Sequence, residues 1–371
     1  MRGRAGVFIF RVGLGGSKIW KQKNKCYPER SEGSKSLDSS AFGLRMTIEV
    51  IKRVRKMKLD LSTQIAGITF QNPVTVASGT FGSKDEYAQY VDYSKLGAIV
   101  TKTVTPKPRK GNKMPRIFET PSGMLNAIGL QNKGIDDFIE NKIPYFRKIK
   151  THLIVNIAGE SIEDFVLLAK KLDVQDSVKA LELNISCPNV KKGLEFCAKP
   201  ELTFEVVKAV KESTKFPIFT KLSPEAHDFM AVAESAIKAG TDALSLINTI
   251  RGMAVDIEKC RPQIANIFGG LSGPAIRPIA LRYLYEVKRR FNIPVMAMGG
   301  IVTARDALEF LITGAHLVAV GTANFINPHA TMEILEGIQT YMKRKGHQSI
   351  DEIRGSLKIK DDPEKEYVPA G

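Results

Sequence analysis

Short apolar segments alternate with helical patterns along most of the chain, and this alternation restricts the fold more than any other feature. The apolar segments are rich in β-branched residues, and amphipathic segments with a period near 3.6 residues separate them. Repeated βαβ units of this kind predict a parallel sheet. Eight buried strands are expected: Val74–Ala77, Ala98–Lys102, Leu153–Ile157, Ala180–Ile185, Ile218–Leu222, Ala243–Ile247, Val295–Met298 and Leu317–Val320.

The number of strands favours a closed α/β architecture, a (β/α)₈ TIM barrel, over the alternative of an open doubly wound sheet. Leu59–Ala66 and Ile68–Gln71 flank Gly67 and predict an N-terminal hairpin. Long loops are expected after strands 2, 4 and 6, and barrels build their active sites from such loops. Helices are expected at Glu163–Leu172, Pro200–Ser213, Phe229–Ala239, Pro278–Phe291 and Ala304–Thr313.

The positive charge is concentrated at the N-terminus. The net charge is +16, but residues 1–56 hold 14 Lys or Arg against 4 Asp or Glu, whereas the remainder holds 41 against 35. A basic tail on a near-balanced domain argues against nucleic acid as a partner. Residues 1–56 lack both a hydrophobic period and a secretory signal. We expect a disordered extension, or upstream sequence if Met46 or Met57 is the true start, before one catalytic domain over 57–371.

The four cysteines provide no metal site. Cys26, Cys187, Cys197 and Cys260 form no C-x-x-C pair and no cluster, so neither zinc nor an iron–sulfur centre has enough ligands in this chain. Sparse cysteines are typical of a reducing cytoplasm. No apolar run approaches the roughly 20 residues that span a bilayer. We therefore expect a cytoplasmic protein with no membrane partner.

Polar or glycine residues follow the end of every predicted barrel strand, where they converge on one mouth. Gly299-Gly300 and Gly321-Thr322 follow strands 7 and 8, the usual place of a phosphate site in barrels. Glycine lets the backbone approach a bound anion closely. The segment that ends at Gly273 provides a possible third loop. These residues predict a phosphate-bearing cofactor without identifying it, and a tight structural turn is the alternative for each loop alone.

Two lysines and five asparagines give the mouth its predicted ligand preference. Lys102 and Lys221 end otherwise apolar strands, so each either meets an anion or extends to solvent. Amide side chains suit a planar ligand with alternating C=O and N–H groups, such as a pyrimidine. The asparagines are Asn126, Asn156, Asn184, Asn189 and Asn248.

Cys187 lies in the loop just past strand 4 and is expected at the same barrel mouth as these lysines. A cationic neighbourhood favours the thiolate, which could act as a base or a nucleophile. No histidine lies near it in sequence, which argues against a protease-type dyad. The alternative, a small buried hydrophobe, is kept for Cys197 and Cys260.

Four motifs resemble class 1 dihydroorotate dehydrogenases, in matching order over residues 58 to about 355. They are Ala77-Ser78-Gly79-Thr80-Phe81-Gly82, Ser122–Asn132, Asn184-Ile185-Ser186-Cys187-Pro188-Asn189-Val190 and Ile247-Asn248-Thr249. The resemblance implies one FMN per chain and dihydroorotate or orotate as ligand. It also implies that Cys187 takes the C5 proton, that hydride passes from C6 to the flavin, and that Lys221 stabilises the reduced flavin.

The same resemblance assigns two sets of binding residues. FMN would contact Ser78, Lys102, Thr103, Asn156, Asn184, Lys221, Ile247, Gly273, Gly299, Gly300, Gly321 and Thr322. The substrate would contact Lys102, Asn126, Ala127, Ile128, Gly129, Leu130, Asn184, Asn248 and Thr249.

Within class 1, the amino-acid sequence of Asn126–Asn132 resembles that of the class 1B catalytic subunit. That subunit forms a homodimer joined by an electron-transfer subunit with FAD and a 2Fe–2S cluster, which passes electrons to NAD⁺. Class 1A, which uses fumarate, remains an alternative, whereas membrane-bound class 2 enzymes carry serine where Cys187 stands. The sequence also leaves open a dihydropyrimidine dehydrogenase, a tRNA-dihydrouridine synthase and a non-enzymatic binding barrel.

Overall fold

A computed structural model describes residues 59–82, 84–185 and 195–359 of the chain. The predictions for the extension 1–56, for Cys187 and for Asn189 lie outside these residues and stay predictions. The predicted long loop after strand 4 is also only partly described.

The strands of the described residues belong to one parallel barrel and three small antiparallel sheets. The barrel strands are β3 Val74–Val76, β4 Ala98–Val100, β7 His152–Ile157, β8 Val178–Asn184, β9 Ile218–Lys221, β10 Ala243–Leu246, β15 Val295–Met298 and β16 Leu317–Val320. The other strands are β1 Thr63–Ile65, β2 Ile68–Phe70, β5 Ile117–Thr120, β6 Gly123–Asn126, β11 Ile250–Met253, β12 Val255–Asp256, β13 Arg261–Pro262 and β14 Phe268–Ser272.

The eight parallel strands follow the order β3-β16-β15-β10-β9-β8-β7-β4. Hydrogen bonds between the first and last strand of this order close the sheet: Gly97 N–H donates to Val74 O at 2.8 Å, and Thr75 Oγ1 donates to Ala98 O at 2.8 Å. The predicted (β/α)₈ barrel is therefore confirmed, and the open sheet is excluded.

The helices lie around the barrel. They are α1 Gly134–Asp137, α2 Ile143–Phe146, α3 Ile162–Asp173, α4 Glu195–Ala198, α5 Pro200–Lys211, α6 Phe229–Lys238, α7 Arg277–Arg290, α8 Ala304–Thr313, α9 Ala323–Ile326 and α10 Ala330–Lys345, with a π-turn at Phe138–Lys142 and 3₁₀ turns at Tyr93–Lys95, Pro274–Ile276 and Ile350–Glu352. Each of the five predicted helices is present within two residues of its expected bounds. In the described part of the chain, no helix is long and apolar enough to cross a membrane.

Alternate residues of each barrel strand pack into two separate apolar layers. Leu181 and Leu183 of β8 belong to the large layer between strands and helices, whereas Ala180 belongs to a smaller cluster inside the barrel. This is the two-residue period of a strand that is buried on both faces. The predicted N-terminal hairpin, β1 with β2, contributes Ile65 and Phe70 to the inner cluster. The amino ends of the strands are therefore covered by apolar side chains, and the opposite end carries the opening.

The predicted loops after strands 2 and 6 fold together over that opening. The first supplies β5 and β6, the second supplies β11 and β14, and the four strands form one antiparallel sheet in the order β11-β14-β6-β5. The pairing between the two loops runs through Leu271 with Leu125 and Gly270 with Asn126. Residues far apart in sequence thus build a single cover above the barrel mouth.

Candidate active site

A cavity of about 300 Å³ lies between the barrel mouth and the four-stranded sheet. Its size is within the range of small-molecule and cofactor sites. The carboxyl ends of the barrel strands form its floor, as the convergence of strand ends requires. The predicted site residues that line it are Ser78, Lys102, Thr103, Asn126, Ile128, Gly129, Leu130, Asn184, Lys221, Ile247, Asn248, Thr249, Gly273, Gly299, Gly300, Gly321 and Thr322.

Three predicted site residues are not in this lining. Asn156 is fully buried and its side-chain nitrogen donates to Glu182 Oε2 inside the barrel. Ala127 is also fully buried, and its N–H donates to Arg116 O at 2.8 Å, so it fixes the backbone of its loop. Cys187 lies outside the described residues, two positions after Ile185, where description of that loop stops.

The cavity is cationic. Lys221 is 5% exposed, and its Nζ donates to Ser78 Oγ at 3.2 Å. Burial lowers the pKa of Lys102, and the charge of nearby Arg116 lowers it further, against a smaller opposing effect of Glu86. Arg116 also lines the cavity and donates to the side chain of Gln131. Because no described lining residue is acidic, the site suits an anionic ligand.

Glycines after β15 form a narrow backbone cradle on one side of the cavity. Gly300 has φ +75°, and a Cβ there would lie 2.9 Å from Gly273 O and 2.7 Å from Arg277 Cβ. The neighbouring loop is tied to the cover sheet by Thr322 Oγ1, which donates to Ser272 Oγ at 2.7 Å. No side chain fits at Gly300 without displacing its neighbours, so backbone N–H groups remain accessible to a phosphate.

Amide side chains from three separate elements meet on the other side. Asn248 Nδ2 lies 3.4 Å from Asn184 Oδ1, and Asn126 Nδ2 donates to Gly270 O at 3.3 Å. The N–H of Thr249 donates to Asn248 Oδ1 at 2.8 Å, which orients that amide. This side can present both donors and acceptors to a flat polar ligand.

Sequence reasoning missed Glu182, which is fully buried within β8. Its Oε2 lies 4.0 Å from Lys221 Nζ, and its Oε1 has no hydrogen-bond partner in the described part of the chain. The signal was present: a carboxylate stands between Leu181 and Leu183, on the inward face of an otherwise apolar strand. Arg116 was missed as well, because it belongs to a loop whose pairing is set by residues distant in sequence.

The similarity to known proteins covers the barrel domain. A sequence model described as dihydroorotate dehydrogenase matches residues 60–342, which contain all eight described barrel strands and the cover sheet. The chain is 53% identical over 301 residues to the dihydroorotate dehydrogenase B (NAD(+)) catalytic subunit of Alkaliphilus metalliredigens, covering 81% of this chain and 99% of that protein. Subunits of the same name from Thermoanaerobacter sp. and Geotalea uraniireducens are 51% and 52% identical, covering 81% of this chain and 100% and 99% of theirs.

Proposed function

The chain belongs to the dihydroorotate dehydrogenase family, a family of flavin-dependent oxidoreductases, and we propose on that premise that it oxidises dihydroorotate to orotate in pyrimidine biosynthesis as a class 1B catalytic subunit. One observation carries the proposal: a single cationic cavity joins a glycine cradle to a set of amides. A phosphate-bearing cofactor and a flat anionic substrate have complementary chemistry to these two sides.

The residues fit FMN. The cradle at Gly299 and Gly300, with Gly273, Gly321 and Thr322, suits the phosphate, and Asn156 Oδ1 is a buried acceptor without a partner among the described residues. When bound, FMN supplies the acceptor for the two electrons that leave the substrate as hydride. The further contacts would come from Ser78, Lys102, Thr103, Asn184, Lys221 and Ile247.

Dihydroorotate combines a carboxylate with a ring of alternating C=O and N–H groups. Lys102 would pair with the carboxylate, and Asn126, Asn184 and Asn248 would hydrogen-bond the ring. The neighbouring backbone of Ala127, Ile128, Gly129 and Leu130, together with Thr249, would complete the substrate contacts. The cover sheet lies over this side of the cavity and would shield bound substrate from water.

Cys187 would remove the proton from C5 of dihydroorotate while hydride leaves C6. It follows Asn184, a lining residue, by three positions, so its loop begins at the cavity wall. With Cys187 at this cavity, the charges of Lys102 and Arg116 would favour its thiolate, the form of cysteine that can accept a proton. The Cys187 thiolate would then act as the base, and no histidine would be required.

The electrons would leave through a partner subunit that carries FAD and a 2Fe–2S cluster and reduces NAD⁺. The assembly would be a homodimer of this chain with one such subunit per catalytic chain. The names of the relatives, which specify NAD(+) and a catalytic subunit, support this route over fumarate in a class 1A enzyme.

The test is to purify the native assembly and measure dihydroorotate oxidation with NAD⁺, fumarate and quinone in parallel. We expect yellow protein, orotate formation and activity with NAD⁺ that depends on the partner subunit. Activity with fumarate by the isolated chain would assign it to class 1A. Binding of uracil in place of orotate would point to a dihydropyrimidine dehydrogenase.

A further inference from the structure

A polar layer lies inside the barrel, at the cavity floor and directly beneath it. It consists of Asn156, Glu182, Lys221 and Ser245, one from each of the neighbouring strands β7 to β10. The residue two positions before each of them belongs to the apolar cluster inside the barrel. Since strand side chains alternate between faces, all four point inward, above that cluster. In pairing register, Asn156 is opposite Glu182 and Lys221 is opposite Ser245, whereas Glu182 is opposite Phe219, so Lys221 lies nearer the mouth than Glu182.

Lys221 alone of these four lines the cavity. Its Nζ lies between Ser78 Oγ at 3.2 Å on the cavity side and Glu182 Oε2 at 4.0 Å on the interior side. The Lys221 side chain is 6% exposed and the Glu182 side chain is 0% exposed. A buried carboxylate is costly unless an opposite charge and hydrogen bonds compensate it. Lys221 supplies the charge, and Asn156 donates a hydrogen bond to the same Oε2.

Resting on the proposed binding of FMN, we infer that Glu182 is a positioning residue that acts through Lys221. It is the buried counter-ion that holds the Lys221 ammonium at the cavity floor and keeps the reduction potential of bound FMN low. Reduction adds negative charge to the flavin, and a lone ammonium stabilises that charge more than a neutral ion pair does. Charges in this water-excluded interior are weakly screened, so the counter-ion has a measurable effect.

This arrangement suits an enzyme that must pass electrons onward. A flavin with too high a potential would accept electrons from dihydroorotate and retain them. Partial neutralisation of Lys221 by Glu182 leaves the ammonium in place for binding while it limits the stabilisation of the reduced flavin. The pair therefore keeps the reduction potential of the flavin low enough for electrons to pass to a weakly oxidising acceptor such as NAD⁺.

The test is Glu182→Gln, which keeps the side-chain shape and removes the charge. The midpoint potential of FMN in the purified holoenzyme is measured by anaerobic equilibration with redox dyes. We expect the equilibrium to shift about tenfold towards reduced FMN, a rise of about 30 mV for a two-electron couple. An unchanged or lowered potential in E182Q that retains FMN overturns the inference.

Two further variants separate this role from a merely structural one. Ser245→Ala removes a hydroxyl from the same layer without changing charge, so we expect an unchanged potential. In a Lys221→Met background, Glu182→Gln is expected to shift the equilibrium much less than tenfold, because the ion pair through which Glu182 acts is then absent. A tenfold shift in that background would show that Glu182 does not act through Lys221, and would overturn the assignment.

Glu182→Asp keeps the charge but withdraws it from Lys221, and we expect a smaller rise, of about threefold in the reduction equilibrium. If E182Q does not fold, as judged by circular dichroism, this variant carries the test, and an unchanged potential overturns the inference. The wild type distinguishes the two proposals. Absence of FMN, or failure of dihydroorotate to reduce it, refutes the proposed function. A competent wild type with an unresponsive Glu182→Gln variant refutes only the role of Glu182.

Discussion

Replacing Gly300 by alanine tests whether the glycine cradle is required by geometry. Gly300 has φ +75°, and an added Cβ would meet Gly273 O at 2.9 Å and Arg277 Cβ at 2.7 Å. The left-handed backbone costs about 1–2 kcal/mol for a residue with a Cβ. Close contact with backbone adds about 1–3 kcal/mol, as in overpacked cores. We therefore expect Gly300→Ala to lower the free energy of unfolding by about 2–5 kcal/mol.

Gly346 provides a matched control. Its φ of +78° is nearly the same, but no heavy atom lies within 4 Å of the position of its Cβ. Gly346→Ala should therefore show the backbone cost alone, about 1–2 kcal/mol. Urea titration compares the two variants, and quenching of flavin fluorescence measures FMN affinity. We expect only Gly300→Ala to lose FMN affinity. Equal stability and equal FMN binding in the two variants would refute the steric argument.

Three further predictions concern the base, the substrate cation and pH. Cys187→Ala should retain FMN and bind orotate but reduce the flavin at least about 100-fold more slowly with dihydroorotate, since a positioned base contributes about that much; near-normal reduction in stopped flow would remove Cys187 as base. Lys102→Met should weaken orotate binding by tenfold or more, because a charge-assisted hydrogen bond contributes about 1.5–3 kcal/mol. The control is Lys345→Met, at an exposed position, which should bind orotate normally in the same titration. Burial, with a contribution from Arg354, lowers the pKa of His316 to about 3, so the folded state disfavours the charged form. This contribution to stability is complete above about pH 6.5 and is lost as pH falls towards 3, by up to about 1.4 kcal/mol per pH unit. Urea titrations should show a shallower decline in His316→Asn, and an identical decline would contradict the assignment.

The barrel could be predicted from the sequence because each of its strands carries its own signal. β15 and β16 match their expected bounds at both ends, since each is a run of four apolar residues between a helix and a glycine. A strand buried on both faces needs no partner to be recognised. The helices α3 and α8 also carry a local signal in the sequence, because a serine N-cap begins α3 and a threonine N-cap begins α8.

The cover sheet could not be predicted, because its signal is not local. β14 contains Gly269 and Gly270, residues that normally weaken a strand. Here glycine is needed for space: a Cβ at Gly270 would lie 2.1 Å from Thr249 Oγ1, and one at Gly269 would lie 2.9 Å from Asn126 O. The contact between Gly269 and Asn126, like the pairing of β14 with β6, joins segments more than 100 residues apart in sequence. The pattern along the chain therefore predicts a loop where the folded protein has a strand.

The site was predicted to the extent that strand ends alone define it. Ser78, Lys221 and Thr322 come together because a closed barrel brings the carboxyl ends of its strands to one mouth. Glu182 was missed because it lies two residues before Asn184, the strand-end residue that lines the cavity. At that position the sequence shows only a single acidic residue in an apolar strand. Its role depends on its distance from the ammonium of Lys221 on the adjacent strand, and only the folded barrel sets that distance.

The cover sheet has a consequence for how such enzymes can be recombined. The two loops share hydrogen bonds between β14 and β6, so the wall over the cavity is one module encoded by two distant stretches of sequence. A chimera that takes residues 103–131 from a relative and keeps residues 248–273 would join strands selected in different backgrounds. Exchange of both stretches together would transfer the module whole. Laboratory recombination aimed at new ligand preferences should therefore place its crossovers so that the two loops are inherited as a pair.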